Sequence, residues 1–349
     1  MITVVICTYN RADLLPGLFA SLRSQRAPDG RPVSFVFIDN NSCDDTAAVV
    51  QQESASFPHQ VRLIREPRQG LAFARNRGIR EARGEWLVFL DDDALPDPDW
   101  LHNLIRGIER LGCKAGGGSI IPLWPRRTPR WIARSGPYSR PRLFASYDLG
   151  TQCMLLAHGG RAPFGGNMIF HTTLAPELLK FDSRLGKVKE SGAGGEEGDV
   201  FERVWEAGLE VGYVGNAVVR HPVDSARFAI ASAVRFMYQS GKSDATCDLK
   251  RGDTDTRPRL RILLSDFRRI MGVLGLNTSS SLAQRIFWAA CGTASTLGAF
   301  HTRAQFARPR RPIRRSNGLL PQTPEADASH ARGNSKDERH IPAGISGEF

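Results

Sequence analysis

The segment Trp86-Leu-Val-Phe-Leu-Asp-Asp-Asp-Ala94 joins a run of apolar residues to three consecutive carboxylates. A short apolar run that ends in polar residues predicts a buried strand. Neighbouring carboxylates repel one another unless a cation neutralises them, and hard divalent ions prefer oxygen ligands. The segment therefore predicts a strand followed by a divalent metal site. An acidic turn that caps a helix starting near Asp97 is the alternative interpretation.

Apolar strands and amphipathic helices alternate along the chain up to this segment. Strands are predicted over 2–7, 34–38, 61–64 and 86–90, with helices over 12–23, 46–53 and 70–82 between them. This alternation is typical of an α/β fold in which a mostly parallel sheet has helices on both faces. Such sheets bind ligands at the carboxyl ends of their strands, which is where the polar clusters of this sequence fall.

The character of the chain changes at Gly116, where an irregular stretch begins, and again after Pro222. Order returns with a helix over 199–207 and strands over 164–170, 211–214 and 217–219; basic helices are then predicted over 226–239, 259–274 and 282–300. The remaining tail lacks apolar periodicity, which is typical of disorder. We therefore expect an α/β domain over 1–224, a basic helical appendage over 225–302 and a disordered basic tail over 303–349.

The chain is strongly basic, with 47 Lys and Arg against 36 Asp and Glu and a formal net charge of +11. Such an excess predicts an anionic partner. A nucleic-acid-binding protein is the weaker alternative, because the acidic clusters of the N-terminal sheet would repel a phosphate backbone. The segment 303–315 carries six arginines and no acid, and it follows the apolar stretch 286–300. An anionic membrane surface is therefore the expected partner, and no nucleic acid is expected.

The chain shows no signal for export or for membrane insertion. Its first residues run from a short apolar strand directly into polar residues, without the features of a signal peptide. The stretch 286–300 is shorter than the ~20 apolar residues of a spanning helix. The cysteines form no Cys-x-x-Cys pair, so structural zinc and a disulfide framework are both disfavoured. We expect a cytoplasmic protein, peripheral at the inner face of the cell membrane.

Polar residues also follow the first two strands. The segment Thr8-Tyr-Asn-Arg11 lies beside a predicted helix N-terminus, where an anion or a base edge can be held. The segment Asp39-Asn-Asn-Ser42 follows the second strand, and Asp39 is suited to accept hydrogen bonds from a base imide or a ribose hydroxyl. An Asx turn with an N-cap is an equally common use of these residues, so both interpretations stay open.

Five motifs in order resemble the family-two inverting glycosyltransferases of the Rossmann-like GT-A fold, over about residues 2–225. They are Cys7-Thr-Tyr-Asn-Arg11, Asp39-Asn-Asn-Ser42, Gly70-Leu-Ala-Phe-Ala-Arg-Asn-Arg-Gly78, Phe89-Leu-Asp-Asp-Asp93 and Gly195-Glu-Glu-Gly-Asp199. The resemblance implies transfer of a sugar from a nucleotide-sugar donor, most commonly a UDP-sugar, to an acceptor hydroxyl. By analogy with bacterial members, the acceptor would be a saccharide or lipid-linked saccharide in surface polysaccharide synthesis.

The resemblance also implies roles for individual residues. Donor binding is expected from Thr8, Tyr9, Asn10, Arg11, Asp39, Asn41, Arg75, Asp91, Asp92, Gly166 and Asn167. Asp93 and His221 are the expected ligands of Mg²⁺ or Mn²⁺. Glu197 is the expected catalytic base, and Glu196 is expected on the acceptor side. Independently of the resemblance, the Trp124 ring is a candidate for stacking on an acceptor sugar, although a tryptophan beside prolines is as often a packing anchor.

The assignment of the base depends on one departure from the family pattern. The acidic pair before the helix commonly reads Glu-Asp, with the second member as base, whereas this chain has Glu196-Glu197. Glu196 and Asp199 therefore remain substitutes for Glu197, and all three acids would also favour the helix dipole. A sugar-nucleotide pyrophosphorylase is disfavoured because its glycine-rich loop after the first strand is missing. An inactive binding module is disfavoured by the complete set of carboxylates.

Overall fold

The structure is a computed structural model that describes residues 1–134, 141–185, 194–252 and 282–307. One sheet contains nine strands in the order β3-β2-β1-β4-β8-β6-β9-β5, and β7 pairs with β9. The strands are β1 (Ile2–Thr8), β2 (Val33–Asp39), β3 (Gln60–Arg65), β4 (Trp86–Asp91), β5 (Leu95–Pro96), β6 (Ala115–Leu123), β7 (Cys153–Leu156), β8 (Asn167–His171) and β9 (Val211–Pro222). The helices are α1 (Leu15–Leu22), α2 (Thr46–Ser54), α3 (Leu71–Glu81), α4 (Trp100–Leu111), α5 (Pro176–Leu179), α6 (Glu196–Glu206), α7 (Ile230–Lys250) and α8 (Leu282–Ala307).

The first four strands form the predicted parallel sheet, and their register aligns the polar loops. Thr8 at the end of β1 pairs with Asp39 at the end of β2. On the other side of β1, Cys7 pairs with Asp91 at the end of β4. The carboxyl ends of these strands therefore form one edge, from which the loops after β1, β2 and β4 all leave.

The second half of the sheet is mixed rather than parallel. β8 runs antiparallel to both β4 and β6, whereas β6 and β9 are parallel to each other. β6 ends at Leu123, and β8 begins at Asn167, which pairs with Leu90 near the end of β4. The irregular stretch that starts within β6 thus returns the chain to the carboxyl edge, and a strand that re-enters there must run antiparallel.

Helices cover both faces of the sheet, as predicted from the alternation of strands and helices along the chain. Val4 and Ile6 of β1 belong to an apolar core together with Phe19 of α1. Val5, between them, belongs to a second core that includes Phe201 of α6. Because successive side chains of a strand point to opposite faces, a strand that is apolar throughout requires a covering layer on each side.

The C-terminal helices α7 and α8 pack closely against each other through glycines. A Cβ atom on Gly241 would lie 1.8 Å from the carbonyl oxygen of Ser295, and one on Gly298 would lie 2.0 Å from that of Tyr238. A third apolar core joins the pair to the rest of the chain, with Phe287 of α8 in contact with the Trp131 ring at 4.9 Å between centroids. The helical appendage is therefore packed onto the α/β domain.

The ends of these helices differ from the prediction. Asp224 caps a short 3₁₀ turn at Ser225–Phe228, so α7 begins only at Ile230 and then continues to Lys250. α8 extends to Ala307, five residues into the region predicted to be disordered. The predicted helix over 259–274 and the rest of the predicted disordered tail lie outside the described residues. Among the described helices, none is long and apolar enough to cross a membrane.

Candidate active site

A cavity of about 260 Å³ opens at the carboxyl edge of the sheet, where β1 and β4 end. The loops after these strands supply one wall, and the start of α6 supplies another. Of the residues expected at the site, the cavity is lined by Thr8, Tyr9, Arg11, Arg75, Asp91, Asp92, Asp93, Gly166, Glu196, Glu197 and His221. Most of the residues singled out in the sequence therefore share one cavity, although they come from distant segments.

Asp91, Asp93 and His221 form a cluster that could hold a metal ion. One potential ligand atom from each residue lies within 4.8 Å of the others, and among the described residues no other group of His, Cys, Asp and Glu meets this criterion. His221 Nε2 lies 3.0 Å from Asp93 Oδ1. Two carboxylate oxygens and an imidazole nitrogen are a donor set that suits Mn²⁺ or Mg²⁺. The residues present therefore fit a divalent ion.

The protonation of this cluster reflects its burial. Burial alone would lower the pKa of His221, but the hydrogen bond with Asp93 and the charge of that carboxylate raise the pKa above its usual value. Burial, followed by the charge of Asp93, raises the pKa of Asp92 to about 7. Arg11 partly offsets this concentration of negative charge, since its guanidinium lies 3.8 Å from Asp92 and 3.9 Å from Asp93.

Arg75 connects the acidic cluster to the start of α6. Its guanidinium is buried and donates a hydrogen bond of 2.5 Å to Glu196. It also lies 3.8 Å from a carboxylate oxygen of Asp91 and 3.7 Å from one of Glu197. Burial would lower the pKa of Arg75, but the carboxylates of Glu196, Glu197 and Asp91 raise it, so the group stays charged.

Two glycines lie directly against these charged groups. A Cβ atom on Gly165 would be 1.9 Å from a guanidinium nitrogen of Arg75, and one on Gly166 would be 2.5 Å from a carboxylate oxygen of Asp91. Any larger residue would displace the side chain that it meets. The Gly-Gly pair before β8 thus lets the backbone lie over Arg75 and Asp91, and it brings the loop to the cavity.

The three acids at the start of α6 have different environments. Glu196 is buried and paired with Arg75. The Glu197 side chain is 22% exposed and lines the cavity. Asp199 accepts hydrogen bonds from Lys250 at 2.7 Å and from Arg203 at 3.3 Å. Glu197 is therefore the carboxylate of this segment that is both accessible and free of a short ion pair.

The loop after β1 is held in place by the loop after β2. The backbone N–H of Asn10, which has a φ of 51°, donates to Ser42 Oγ at 3.0 Å. The N–H of Arg11 donates to Thr46 Oγ1 at 2.8 Å. Asn10 accepts a hydrogen bond from the N–H of Cys43 at 2.9 Å, so its side chain joins the two loops rather than lining the cavity.

The loop after β2 forms the Asx turn that was one of the two interpretations considered for it, and Asp39 is not among the residues that line the cavity. Asp39 accepts a hydrogen bond from the N–H of Ser42 at 3.0 Å, as in an Asx turn. Asn41 accepts one from Arg65 at 3.1 Å and does not line the cavity. Asn40, which the sequence did not single out, does line it and accepts a hydrogen bond from the N–H of Gly70 at 2.8 Å. Asn40 therefore anchors the start of α3, which carries Arg75.

Two further residues lie away from the cavity. Asn167 is fully buried; it donates to the carbonyl oxygens of Ser119 and Ala217 at 2.9 Å, and accepts from Trp100 Nε1 at 2.8 Å. These bonds join three elements of the fold, so the Asn167 side chain has a structural role. The Trp124 ring packs against Phe144 with 5.0 Å between centroids.

The cavity also contains residues that the sequence did not reveal. They are Arg142, Arg227, Phe236 and Ser240, which come from the irregular stretch and from the C-terminal helices. Arg142 donates to Ser240 Oγ at 2.8 Å, and Arg227 donates to the carbonyl oxygen of Leu143 at 2.7 Å. The basic character of the segment after Pro222 was the signal for the part of the chain that carries Arg227, Phe236 and Ser240, whereas Arg142 lies in the irregular stretch before it. Packing of the appendage, rather than a motif, brings these residues to the cavity.

The architecture, with an acidic cluster at the carboxyl edge of its parallel strands, agrees with the α/β sheet covered by helices that the resemblance implied. Residues 3–148 match the family model described as Glycosyl transferase family 2. This part of the chain is therefore similar to members of that family, and the match supports sugar transfer.

Known relatives extend the similarity beyond this domain. Succinoglycan biosynthesis protein ExoM of Rhizobium meliloti (strain 1021) is 25% identical over 244 residues, which are 69% of this chain and 73% of ExoM. Glucosyl-dolichyl phosphate glucuronosyltransferase of Haloferax volcanii is 23% identical over 250 residues, 71% of this chain and 77% of that protein. The solved structure of mannosyltransferase PcManGT from Pyrobaculum calidifontis, in complex with GDP-Man and Mn²⁺, has 18% identity and a TM-score of 0.49, over 92% of this chain and 76% of that one.

Proposed function

We propose that this protein is an inverting, metal-dependent glycosyltransferase that transfers a hexosyl group from a nucleotide-sugar, with UDP-sugars as the first candidates. The position of Arg75 carries the proposal. Its guanidinium lies 3.8 Å from Asp91 in the acidic cluster and 3.7 Å from Glu197 at the start of α6. A donor diphosphate at the acidic cluster and an acceptor hydroxyl at Glu197 would thus meet in one cavity.

The donor would bind at the carboxyl edge of the sheet. Asp91, Asp93 and His221 would hold Mg²⁺ or Mn²⁺, which when bound would neutralise the diphosphate and stabilise it as a leaving group. Arg11, whose side chain is 44% exposed, would add a positive charge beside the phosphates. Thr8 and Tyr9 would contact the nucleoside on the same side of the cavity.

Glu197 would act as the general base. It would accept the proton of the acceptor hydroxyl while that oxygen forms a bond to the anomeric carbon of the donor sugar. The bond from the anomeric carbon to the diphosphate oxygen breaks at the same time, and the nucleoside diphosphate leaves with the bonding electrons. Attack on the face opposite the leaving group inverts the configuration. Glu196 and Asp199 are weaker candidates, since both are engaged by cations.

The names of the relatives suggest the class of acceptor. One belongs to succinoglycan biosynthesis and the other is described as acting on glucosyl-dolichyl phosphate, a lipid-linked sugar. Each aligns over more than two thirds of its own length, 73% and 77% respectively. We therefore extend to this chain a saccharide or lipid-linked saccharide acceptor in the synthesis of a surface polysaccharide.

A lipid-linked acceptor would place the protein at a membrane surface, and the appendage offers an apolar contact. Ile286 and Leu297 of α8 are each 56% exposed, and eleven residues of spacing puts them on the same face of the helix. The arginine-rich segment 303–315 follows in the sequence. These features fit a cytoplasmic protein that binds peripherally to anionic lipids at the inner face of the cell membrane.

Vesicle sedimentation tests this membrane contact. Replacing both Ile286 and Leu297 by Ser should reduce binding to vesicles that contain phosphatidylglycerol. Leu155→Ser is the matched control, because Leu155 is 47% exposed but belongs to β7. Equal sedimentation of the double variant, the control and the unchanged protein would contradict the contact.

A donor screen tests the transferase proposal directly. The purified protein should release nucleoside diphosphate from at least one member of a panel of UDP-, GDP- and TDP-sugars when Mn²⁺ or Mg²⁺ is present. NMR of the product should show an anomeric configuration opposite to that of the donor. If no sugar nucleotide is cleaved with either metal, or if the configuration is retained, the proposal is wrong.

A further inference from the structure

A second cavity, of about 610 Å³, adjoins the first at the start of α6. Arg142, Phe164, Gly195 and Glu197 line both cavities. The second cavity is otherwise lined by Pro141, Gly160, Arg161, Ala162, Pro163, Gly198, Asp199, Glu202, Asp244, Cys247, Asp248 and Arg251. Glu197 thus lies at the junction between the proposed donor site and an additional space large enough for a sugar ring.

The second cavity is acidic in a strongly basic protein. Five carboxylates and three guanidinium groups line it, so its walls carry a formal charge of two negative, whereas the whole chain carries +11. Among the described residues, the group of side chains whose ligand atoms lie close enough together to hold a metal ion is that of Asp91, Asp93 and His221. The five carboxylates of the second cavity do not form such a group. The cavity therefore lacks the geometry of a second metal site.

Carboxylates already engage two of the three guanidinium groups that line this cavity, and the third, that of Arg161, donates to the carbonyl oxygen of Ser146 at 3.1 Å. Arg142 donates to Asp244 at 2.8 Å, and Arg251 donates to Asp248 at 3.1 Å. Lys250, on the same helix, donates to Asp199 at 2.7 Å. A phosphate or uronate that binds to Arg142 or Arg251 would have to displace these pairs. Hydroxyl groups, by contrast, can donate to the carboxylates and accept from the guanidinium groups without breaking them.

We infer that the second cavity is the acceptor subsite, and that it takes an uncharged sugar ring in preference to an acidic one. The inference rests on the proposed transferase function, because it depends on Glu197 acting on the acceptor hydroxyl. Asp244, Asp248 and Arg251 are specificity-determining residues: their spacing along α7 puts them on one face of the helix, at the wall of the cavity. Asp244 on this wall forms an ion pair with Arg142, which lines both cavities.

Filling the cavity tests its role in transfer. A Cβ atom on Gly198 would meet nothing within 4 Å, and Gly198 lines the second cavity but not the first. Gly198→Trp should occupy the acceptor subsite and leave the donor site open. Transfer to the sugar acceptor should fall by at least tenfold relative to hydrolysis of the donor by water, with unchanged affinity for nucleoside diphosphate. An unchanged ratio of transfer to hydrolysis would overturn the inference.

Charge selectivity provides a test that needs no turnover. Saturation-transfer NMR would compare methyl glucoside, galactoside and mannoside with the corresponding methyl uronates, using the full chain. Signals from the neutral sugars should be the stronger, and Gly198→Trp should abolish them. Asp244→Asn keeps the size of the side chain but frees the charge of Arg142, so it should shift the preference toward the uronates by about tenfold.

Glu206→Gln is the matched control for the change in charge, because Glu206 is exposed at the end of α6 and lies outside the cavity. Preference of the unchanged protein for uronates, absence of binding by every neutral sugar, or equal effects of Asp244→Asn and the control would each overturn the inference. These failures are distinct from failure of the proposed function, which would appear as absence of donor cleavage even by water.

Discussion

Replacing Glu196 by Gln removes the charge that neutralises Arg75 in the interior. The Glu196 side chain is 1% exposed and that of Arg75 is 5% exposed, with 2.5 Å between their hydrogen-bonded atoms. Removing one partner of a buried ion pair typically costs about 3–5 kcal/mol, because the remaining charge is left uncompensated. Two carboxylates remain within 4 Å of Arg75, at 3.8 Å in Asp91 and 3.7 Å in Glu197. We therefore expect a loss of about 2–3 kcal/mol in the free energy of unfolding.

Chemical and thermal unfolding measure this loss. A loss of about 2–3 kcal/mol should lower the melting temperature by roughly 4–12 °C in a protein of this size. Glu197→Gln is the matched control, since Glu197 neighbours Glu196 in the chain but is partly exposed and makes only the longer contact with Arg75. Its cost should stay below about 1 kcal/mol. If the two variants unfold alike, the buried pair does not stabilise the fold as argued.

Three other variants test the chemistry of the cavity. Glu197→Gln should lower kcat by ~10²–10⁴-fold with near-normal donor affinity, as expected for loss of a general base. If Glu197→Gln turns over normally and Asp199→Asn is inactive, Asp199 is the base instead. Asp93→Asn should weaken Mn²⁺ binding, measured by electron paramagnetic resonance, at least tenfold, and excess EDTA should abolish transfer; full activity in EDTA would exclude a required metal. Gly166→Ala should displace Asp91 and reduce activity at least tenfold, whereas Gly194→Ala, in open space on the same cavity, should not.

The parts of the site that the sequence predicted are those carried by short segments. The strand β4, which ends at Asp91 and is followed by Asp92 and Asp93, was predicted from two local signals, an apolar run and the polar residues that end it. The parallel register of β1, β2 and β4 then brings their loops to one edge. His221 was expected only through the family resemblance. Its contact with Asp93 depends on β9 pairing with β5, the short strand directly after the acidic segment, and no local pattern encodes that pairing.

The residues that sequence reasoning misplaced are polar groups whose use depends on distant partners. Asn167 was expected to bind the donor, but its carboxamide hydrogen-bonds groups on β6, on β9 and on α4. An amide next to a Gly-Gly pair has the same local sequence in either role, so only the packing around it decides. Arg142 was not predicted at the site, because its position at the cavity depends on hydrogen bonds to Ser240 and Asp244 of the distant helix α7.

The two cavities are lined by different parts of the chain, and this difference suggests how donor and acceptor specificity could be separated. The family match ends at residue 148, and it includes Asp91 and Asp93 together with Arg75. Apart from Pro141 and Arg142, every residue that lines the second cavity comes after that point. Most of the proposed donor site would thus lie in the matched segment, with His221 and Gly166 added from later in the chain, whereas almost all of the proposed acceptor subsite lies outside that segment. Because substitutions on α7 would alter the second cavity without touching the acidic cluster, the proposed acceptor subsite would be able to change independently of the proposed metal site.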